Sequence, residues 1–308
     1  MSHEIGLSTT DARIQALVAP WLADARLGLP RPLELRIQVG PVPDPPSDDR
    51  MVFRQGRVEI RGRPGTVGDI ELAWGTGLGR ATVHPDADSA DVVLSEAAFE
   101  SPNELLRSFL LNACIFLVRG AGLHHVHGAS LIDPRGRGWL IVGTSQSGKS
   151  TTTALLARNG WRFGTDDIAF LSASSGGVDV VAWHDRLALR DDAKAPSAPD
   201  GGIALPGRNK TGWFAEELGS AWAGRVTPSV LAFPSVSADA PTSARALKPA
   251  VALTRLMDSS PWVLLDSRFA DEHLALMTGL VKQARAYEIS LGRDLFDDPH
   301  RLEELAAA

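Results

Sequence analysis

The chain has 308 residues, 44% hydrophobic and 22% charged, a composition that excludes a disordered chain and a domain too small to bury a core without staples. Thirty-seven acidic residues against 31 basic ones give a net charge of −6 with no block of like charges, which argues against nonspecific nucleic-acid binding. No stretch approaches the roughly 18 apolar residues of a membrane span, the start MSHEIGLSTT has no signal-peptide pattern, and the one cysteine, Cys114, lies in an apolar run, so a soluble cytoplasmic protein with a buried inert thiol is expected.

In chain order, a helix is expected around Asp11 to Ala25 and a strand from Leu33 to Val39, where apolar residues alternate. The run GPVPDPPSDD, residues 40–49, is crowded with Pro and Asp and reads as an exposed loop. From Met51 to Leu94 short, Gly-punctuated alternating segments read as an antiparallel meander. The period then changes. Leu105, Leu106, Phe109, Leu110, Ala113, Phe116 and Leu117 share one helical face, with Ser101 and Glu104 spaced as a capping box. HHVHGASLI and GRGWLIVG read as two strands joined through Asp133 to Gly136.

The second strand runs into Gly143-Thr144-Ser145-Gln146-Ser147-Gly148-Lys149-Ser150, which fits G-x-x-x-x-G-K-[ST] and is followed by the helix-prone STTTALLAR. Glycines let the backbone approach a phosphate, successive N–H groups point at its oxygens, and the helix start beginning at Lys149, Ser150 and Thr151 adds positive potential. Lys149 is placed to bridge the β and γ phosphates of ATP, and Ser150 to offer a hydroxyl to Mg²⁺. Only five of the 31 basic residues are lysines, so Lys149 and Lys210 stand out.

After this helix, Asn159-Gly160 reads as a left-handed cap, and the strand WRFGT returns the chain to the loop, delivering Asp166 and Asp167. One carboxylate can hold Mg²⁺ and the other can accept the proton of an attacking hydroxyl. Neighbours on a strand face opposite ways, so one of the two is expected to enter the site unless the strand bends; an Asp-Asp turn is the plain alternative. Upstream, His125 and His127 share one strand face, with His124 beside them. A zinc site there would need a third ligand, so these histidines read as structural or as neighbours of a phosphate.

With these residues in view, HGASLIDPRGRGWLIVGTSQSGKSTTTALLARNGWRFGTDDIAFL resembles the kinase core of the HPr kinase/phosphorylase family, over roughly residues 124–171. The resemblance implies an α/β fold with an α+β mixed sheet, a phosphoenolpyruvate-carboxykinase-like P-loop core over residues 101–308, and a β-rich region over residues 1–100. It implies that Lys149 and Ser150 serve phosphate and Mg²⁺, that His127 lies beside the phosphates, that one of Asp166 and Asp167 is the base, and that the other, Asp166 in the metal assignment, supports the cation. Thr151 stands where the bifunctional enzyme has Glu, and the later dephosphorylation segment has no counterpart, which counts against reversal by phosphate and against HPr as substrate. The β-rich start looks instead like divergent HPr-kinase-related proteins, some of which resemble tailoring kinases for ribosomal peptides, including lasso-peptide precursors phosphorylated on a C-terminal serine. Relatives of this family are often homo-oligomers.

Further on, VDVVAWHDRLALR reads as one or two strands whose Arg186 and Arg190 either reach phosphate or face solvent. Residues 191–212 lack periodicity and read as a functional or mobile loop carrying Arg208 and Lys210; Lys210 either clamps the γ-phosphate or acceptor or is solvated. PSVLAFPSV reads as a strand, Ser267 to Ala284 as an amphipathic helix, the tail Pro299 to Ala308 as a short helix or a frayed end, and most of the eight Trp as packing. The expected function is an ATP-dependent kinase acting on a hydroxyl, most simply a serine of a peptide or protein, with no nucleic-acid or membrane partner. The alternatives are a small-molecule hydroxyl kinase and a noncatalytic nucleotide-binding regulatory module.

Overall fold

The computed structural model describes residues 4–44, 50–55, 58–62, 68–144, 146–191, 201–205, 209–237, 239–264 and 267–306. The chain forms two compact units, one from Met1–His124 with Pro261–Leu274 and the other from His125–Ser260 with Ala275–Ala308.

In the first unit, β1 (Ile5–Ser8), α1 (Ala12–Ala23), β2 (Leu33–Val39), β3 (Arg50–Gln55), β4 (Val58–Gly62), β5 (Ile70–Trp74), β6 (Gly79–His84) and β7 (Ser89–Leu94) precede α2 (Asn103–Leu117). The sheet order is β1-β2-β7-β6-β5-β4-β3. Strands β3 to β7 form the expected antiparallel meander. The sheet as a whole is mixed, because β2 runs parallel to both β1 and β7, with α1 as the crossover between β1 and β2. Asp11 caps α1 by accepting from the Arg13 and Ile14 amides at 2.8 and 3.4 Å.

Helix α2 buries Leu106, Phe109, Leu110 and Ala113, and Phe109 stacks on Trp74 at 5.7 Å between ring centres. The expected capping box does not form: Pro102 keeps an extended ψ of 135° and becomes the cap itself, which leaves Ser101 one residue too far out. Cys114 is fully buried, and burial pushes its thiol up to about 12, so it is inert.

In the second unit, a hairpin of β8 (His124–Ile132) and β9 (Gly138–Val142) leads to α3 (Lys149–Arg158), β10 (Arg162–Thr165), β11 (Ile168–Ser174), β12 (Gly177–Ala182), β13 (Leu187–Arg190), β14 (Ile203–Leu205), β15 (Lys210–Trp213), β16 (Arg225–Val226), β17 (Pro228–Val236) and β18 (Ser243–Ala246). There follow α4 (Pro249–Asp258), α5 (Ser267–Gln283), of which the residues up to Leu274 belong to the first unit, β19 (Arg285–Leu291) and α6 (Arg301–Leu305). The central sheet runs β16-β12-β11-β8-β9-β17-β19-β18, with β10 paired to β8; β9, β17 and β19 are parallel, while β8 runs against β9 and β10, and β18 against β19. A separate small sheet has the order β13-β15-β14.

Alternation along these strands builds a core on each face. Val126, Leu140, Val142, Leu231 and Phe233 pack with Ala252 and Leu256 of α4 and Met277 and Leu280 of α5. The intervening Ala129, Leu131, Trp139, Ile141, Val230 and Ala232 pack with Leu155 and Leu156 of α3 and Leu302 of α6. The architecture is therefore α/β with mixed sheets. Gly138 is a fixed point of it, because a Cβ there would stand 2.1 Å from the Thr227 carbonyl oxygen where β9 meets β17. Among the described residues, no helix is long and apolar enough to cross a membrane.

Candidate functional site

Strand β9 is buried along its whole length and ends at the glycine-rich loop, so the loop starts from a rigid base. Gln146 and Gly148 take positive φ of 67° and 94°, which curls the backbone before α3 begins at Lys149. Such a turn favours glycine, and Gln146 adopts it at a steric cost of order 1 kcal/mol. The Ser147 amide donates to the Thr144 carbonyl at 3.3 Å, while the Ser147 hydroxyl is buried and has no partner among the described residues. A Cβ on Gly143 would lie 2.7 Å from that hydroxyl oxygen. Ser145 falls outside the described residues; Ser150 and Thr151 occupy the first turn of α3.

Lys149 is 6% exposed and folds back over the loop, its Nζ donating to the carbonyls of Gly143 at 2.5 Å and Thr144 at 3.0 Å. Burial lowers its pKa, against the pull of the Asp167 and Asp166 carboxylates. At the far end of α3, Gly160 takes φ 87° and the Trp161 amide donates to the Leu156 carbonyl, so the helix closes with the left-handed cap expected of Asn159-Gly160.

Strand β10 then stops at Thr165 and β11 starts at Ile168, which leaves Asp166 and Asp167 in a bend. The Thr165 hydroxyl fixes that bend by accepting from the amides of Asp167 at 3.4 Å and Ile168 at 3.1 Å. Strand alternation therefore does not apply, and both carboxylates reach the loop's charges. Asp166, 7% exposed, accepts from the Ser150 hydroxyl and from the Ala188 amide of β13 at 3.4 Å. Asp167, whose side chain is 46% exposed, meets His127 Nδ1 at 2.6 Å. The buried His125 approaches the Asp167 carbonyl through Nε2 at 3.4 Å, so the two histidines of one β8 face address the same residue.

These surroundings drive the adjacent carboxylates apart. Burial, then the neighbouring Asp167 charge, raises Asp166 to about 6, against opposition from Lys210 and Ser150. Burial also raises Asp167, but the hydrogen bond and charge of His127, with His125 and Lys210, outweigh it and hold this carboxyl well below the usual range. His125 is pushed down to about 4 by burial and then by the His127 charge.

Lys210 opens β15 rather than sitting in a loop, paired across β13 with Arg190, and its charge bears on Lys149, Asp166 and Asp167. The Pro- and Gly-rich composition of this segment conceals two strands of three and four residues. Arg208 lies outside the described residues. Arg186 is held by Glu217 at 2.7 Å and lies over the Phe214 ring at 4.0 Å. Sequence reasoning missed the Thr165 hydroxyl, the Ala188 amide and the apolar pair Val236 and Leu291 beside Gly148. One is a backbone group and the others are residue types without a distinguishing spacing.

No protein-family model and no curated protein matches the chain. Among solved structures, one described as the Hpr(Ser) kinase/phosphatase from Coxiella burnetii is similar at a TM-score of 0.30 and 15% identity, covering 59% of this chain and 92% of that one.

Proposed function

We propose that this chain is an ATP-dependent phosphotransferase that moves the γ-phosphoryl group to a hydroxyl, with a serine of a peptide or protein as acceptor. The observation that carries the reading is the meeting of Lys149 and Ser150 of the glycine-rich loop with the split carboxylate pair Asp166 and Asp167. These groups suit a phosphate chain.

The residues fit a nucleotide and a magnesium ion. The Ser147 hydroxyl is a buried polar atom without a partner among the described residues, and Gly143 lets it sit there, because a Cβ would stand 2.7 Å from its oxygen. Ser150 and Asp166 offer the hard oxygen donors that Mg²⁺ takes, directly or through water. When bound, Mg²⁺ supplies neutralisation of charge on the transferring group. Lys149, released from the Gly143 and Thr144 carbonyls, adds a second positive charge on the phosphates.

Asp167 takes the role of base. It is ionised, half-exposed and oriented by His127, so an acceptor too large for an enclosed pocket can bring its hydroxyl to it. The hydroxyl proton passes to the Asp167 carboxylate as the oxygen attacks the γ-phosphorus, and the bond from that phosphorus to the bridging oxygen breaks so that ADP leaves. A weakly basic carboxylate suffices when bond formation is little advanced in a loose transition state. The order of His127, the glycine-rich loop and the Asp pair, which resembles HPr-kinase-related proteins, supports a serine acceptor.

The test is transfer of label from γ-labelled ATP with Mg²⁺ to serine-containing peptides, set beside free serine and glycerol as small acceptors. Label on peptide, absent in Lys149→Ala, is the expected result. Label on the small acceptors alone would remove the peptide assignment, and no transfer to any hydroxyl would remove the kinase.

A further inference from the structure

We infer that the nucleoside of the bound nucleotide lies across the C-terminal ends of β17 and β19, with its base against Val236. The inference rests on the phosphate-site reading above and adds to it the direction of the nucleotide and the surface that holds its base.

The direction follows from strand order. Strand β9, which feeds the glycine-rich loop, lies between β8 and β17. His127 comes from β8, and Asp166 and Asp167 from the end of β10, which also pairs with β8. The reacting end of a phosphate chain must lie at those carboxylates. The other end, which carries the nucleoside, then leaves the loop on the opposite side of β9, toward β17 and β19. These strands are parallel to β9, so their C-terminal ends open on the same edge as the loop, where ligands of open α/β sheets gather.

An apolar surface waits there. Val236 ends β17, is paired in register with Leu291 at the end of β19, and is 63% exposed, the most exposed large apolar side chain among the described residues. Both touch the phosphate loop: a Cβ on Gly148 would stand 2.8 Å from Leu291 Cδ1 and 3.1 Å from Val236 Cγ2. A flat aromatic base whose phosphates occupy the loop would therefore cover Val236 and remove it from water.

The platform is braced. Asp294, in the segment after β19, accepts from the Thr242 amide and hydroxyl, both at 2.8 Å, and the Gly292 amide donates back to the Thr242 hydroxyl at 3.0 Å. The Ser237 amide donates to the Leu291 carbonyl at 2.9 Å, and Arg301 pairs with Asp294 at 3.2 Å. The segments following β17 and β19 are thus tied to one another, which lowers the ordering cost of binding.

Calorimetric titration of the full chain with Mg-ATP and, separately, with Mg-tripolyphosphate, which has the phosphates but no nucleoside, tests this. Val236→Asn should weaken ATP binding about fivefold while leaving tripolyphosphate within about twofold. Val236→Phe should hold or tighten ATP with tripolyphosphate again unchanged, and Lys149→Ala should weaken both ligands. Equal ATP affinity in Val236→Asn and wild type, or equal losses of the two ligands, overturns the nucleoside placement while the Lys149 result preserves the phosphate site. Wild-type protein that binds neither ligand overturns the phosphate reading and this inference with it.

Discussion

At the scale of single residues, Asp166 and Asp167 show how position sets acidity. The buried one, beside Ser150 and the Ala188 amide, is raised to about 6; the one on His127 is held low. Opposite pH signatures follow. Asp166 holds its proton more tightly when folded than when unfolded, so its stabilising contribution is complete below its ordinary value near 3.8 and is lost as pH rises through about 6. Asp166→Asn should therefore stabilise the ligand-free protein at pH 8, by at most about 3 kcal/mol, and give no gain near pH 4. Asp167, with its folded value lowered, contributes stability above the ordinary carboxylate range and loses it as pH falls below that range, so Asp167→Asn should destabilise at pH 7. Urea unfolding of both variants across pH checks this, and the same sign for both at neutral pH would contradict the assignment. The loop, Lys149, the Asp pair and His127 were legible because each is a distinctive side chain at a distinctive spacing. The Ala188 amide and Val236 were not, because a backbone group and a lone valine look alike everywhere in a sequence.

At the scale of elements, the β8–β9 hairpin, α3 with its Gly160 cap and α2 were readable because their determinants are local: alternation, a turn, a 3-and-4 stripe. Partner choice was not. Nothing near Leu33 announces that β2 lies between β1 and β7 and parallel to both, since that pairing is decided by residues some fifty positions away. The failed capping box shows a near miss of another kind, where a proline held extended moved the helix start by one residue. Strands as short as β16, with two residues, carry no period to detect. Gly138 tests the closeness of the β9–β17 pairing that supports the phosphate loop. Gly138→Ala must displace the Thr227 carbonyl and should cost about 2–4 kcal/mol in a denaturation experiment, with ATP affinity falling as β9 shifts. A loss under about 0.5 kcal/mol would mean that the strands can separate freely there.

At the scale of the molecule, a mixed sheet buried on both faces presents one edge at which four strand ends converge. The ends of β9, β17 and β19 and the start of β8 bring the glycine-rich loop, the apolar pair and His127 to that edge. The fold class could be anticipated from the change of hydrophobic period, but the convergence could not, because it depends on which strands neighbour β9. The proposed role of Asp167 as base in phosphoryl transfer is tested by γ-phosphoryl turnover of wild type and Asp167→Asn at saturating Mg-ATP, with nucleotide affinity measured alongside. The expected result is affinity within a few-fold of wild type and turnover lower by about 10²–10⁴. Turnover unchanged in Asp167→Asn, or a wild type that binds ATP and transfers nothing, would contradict it.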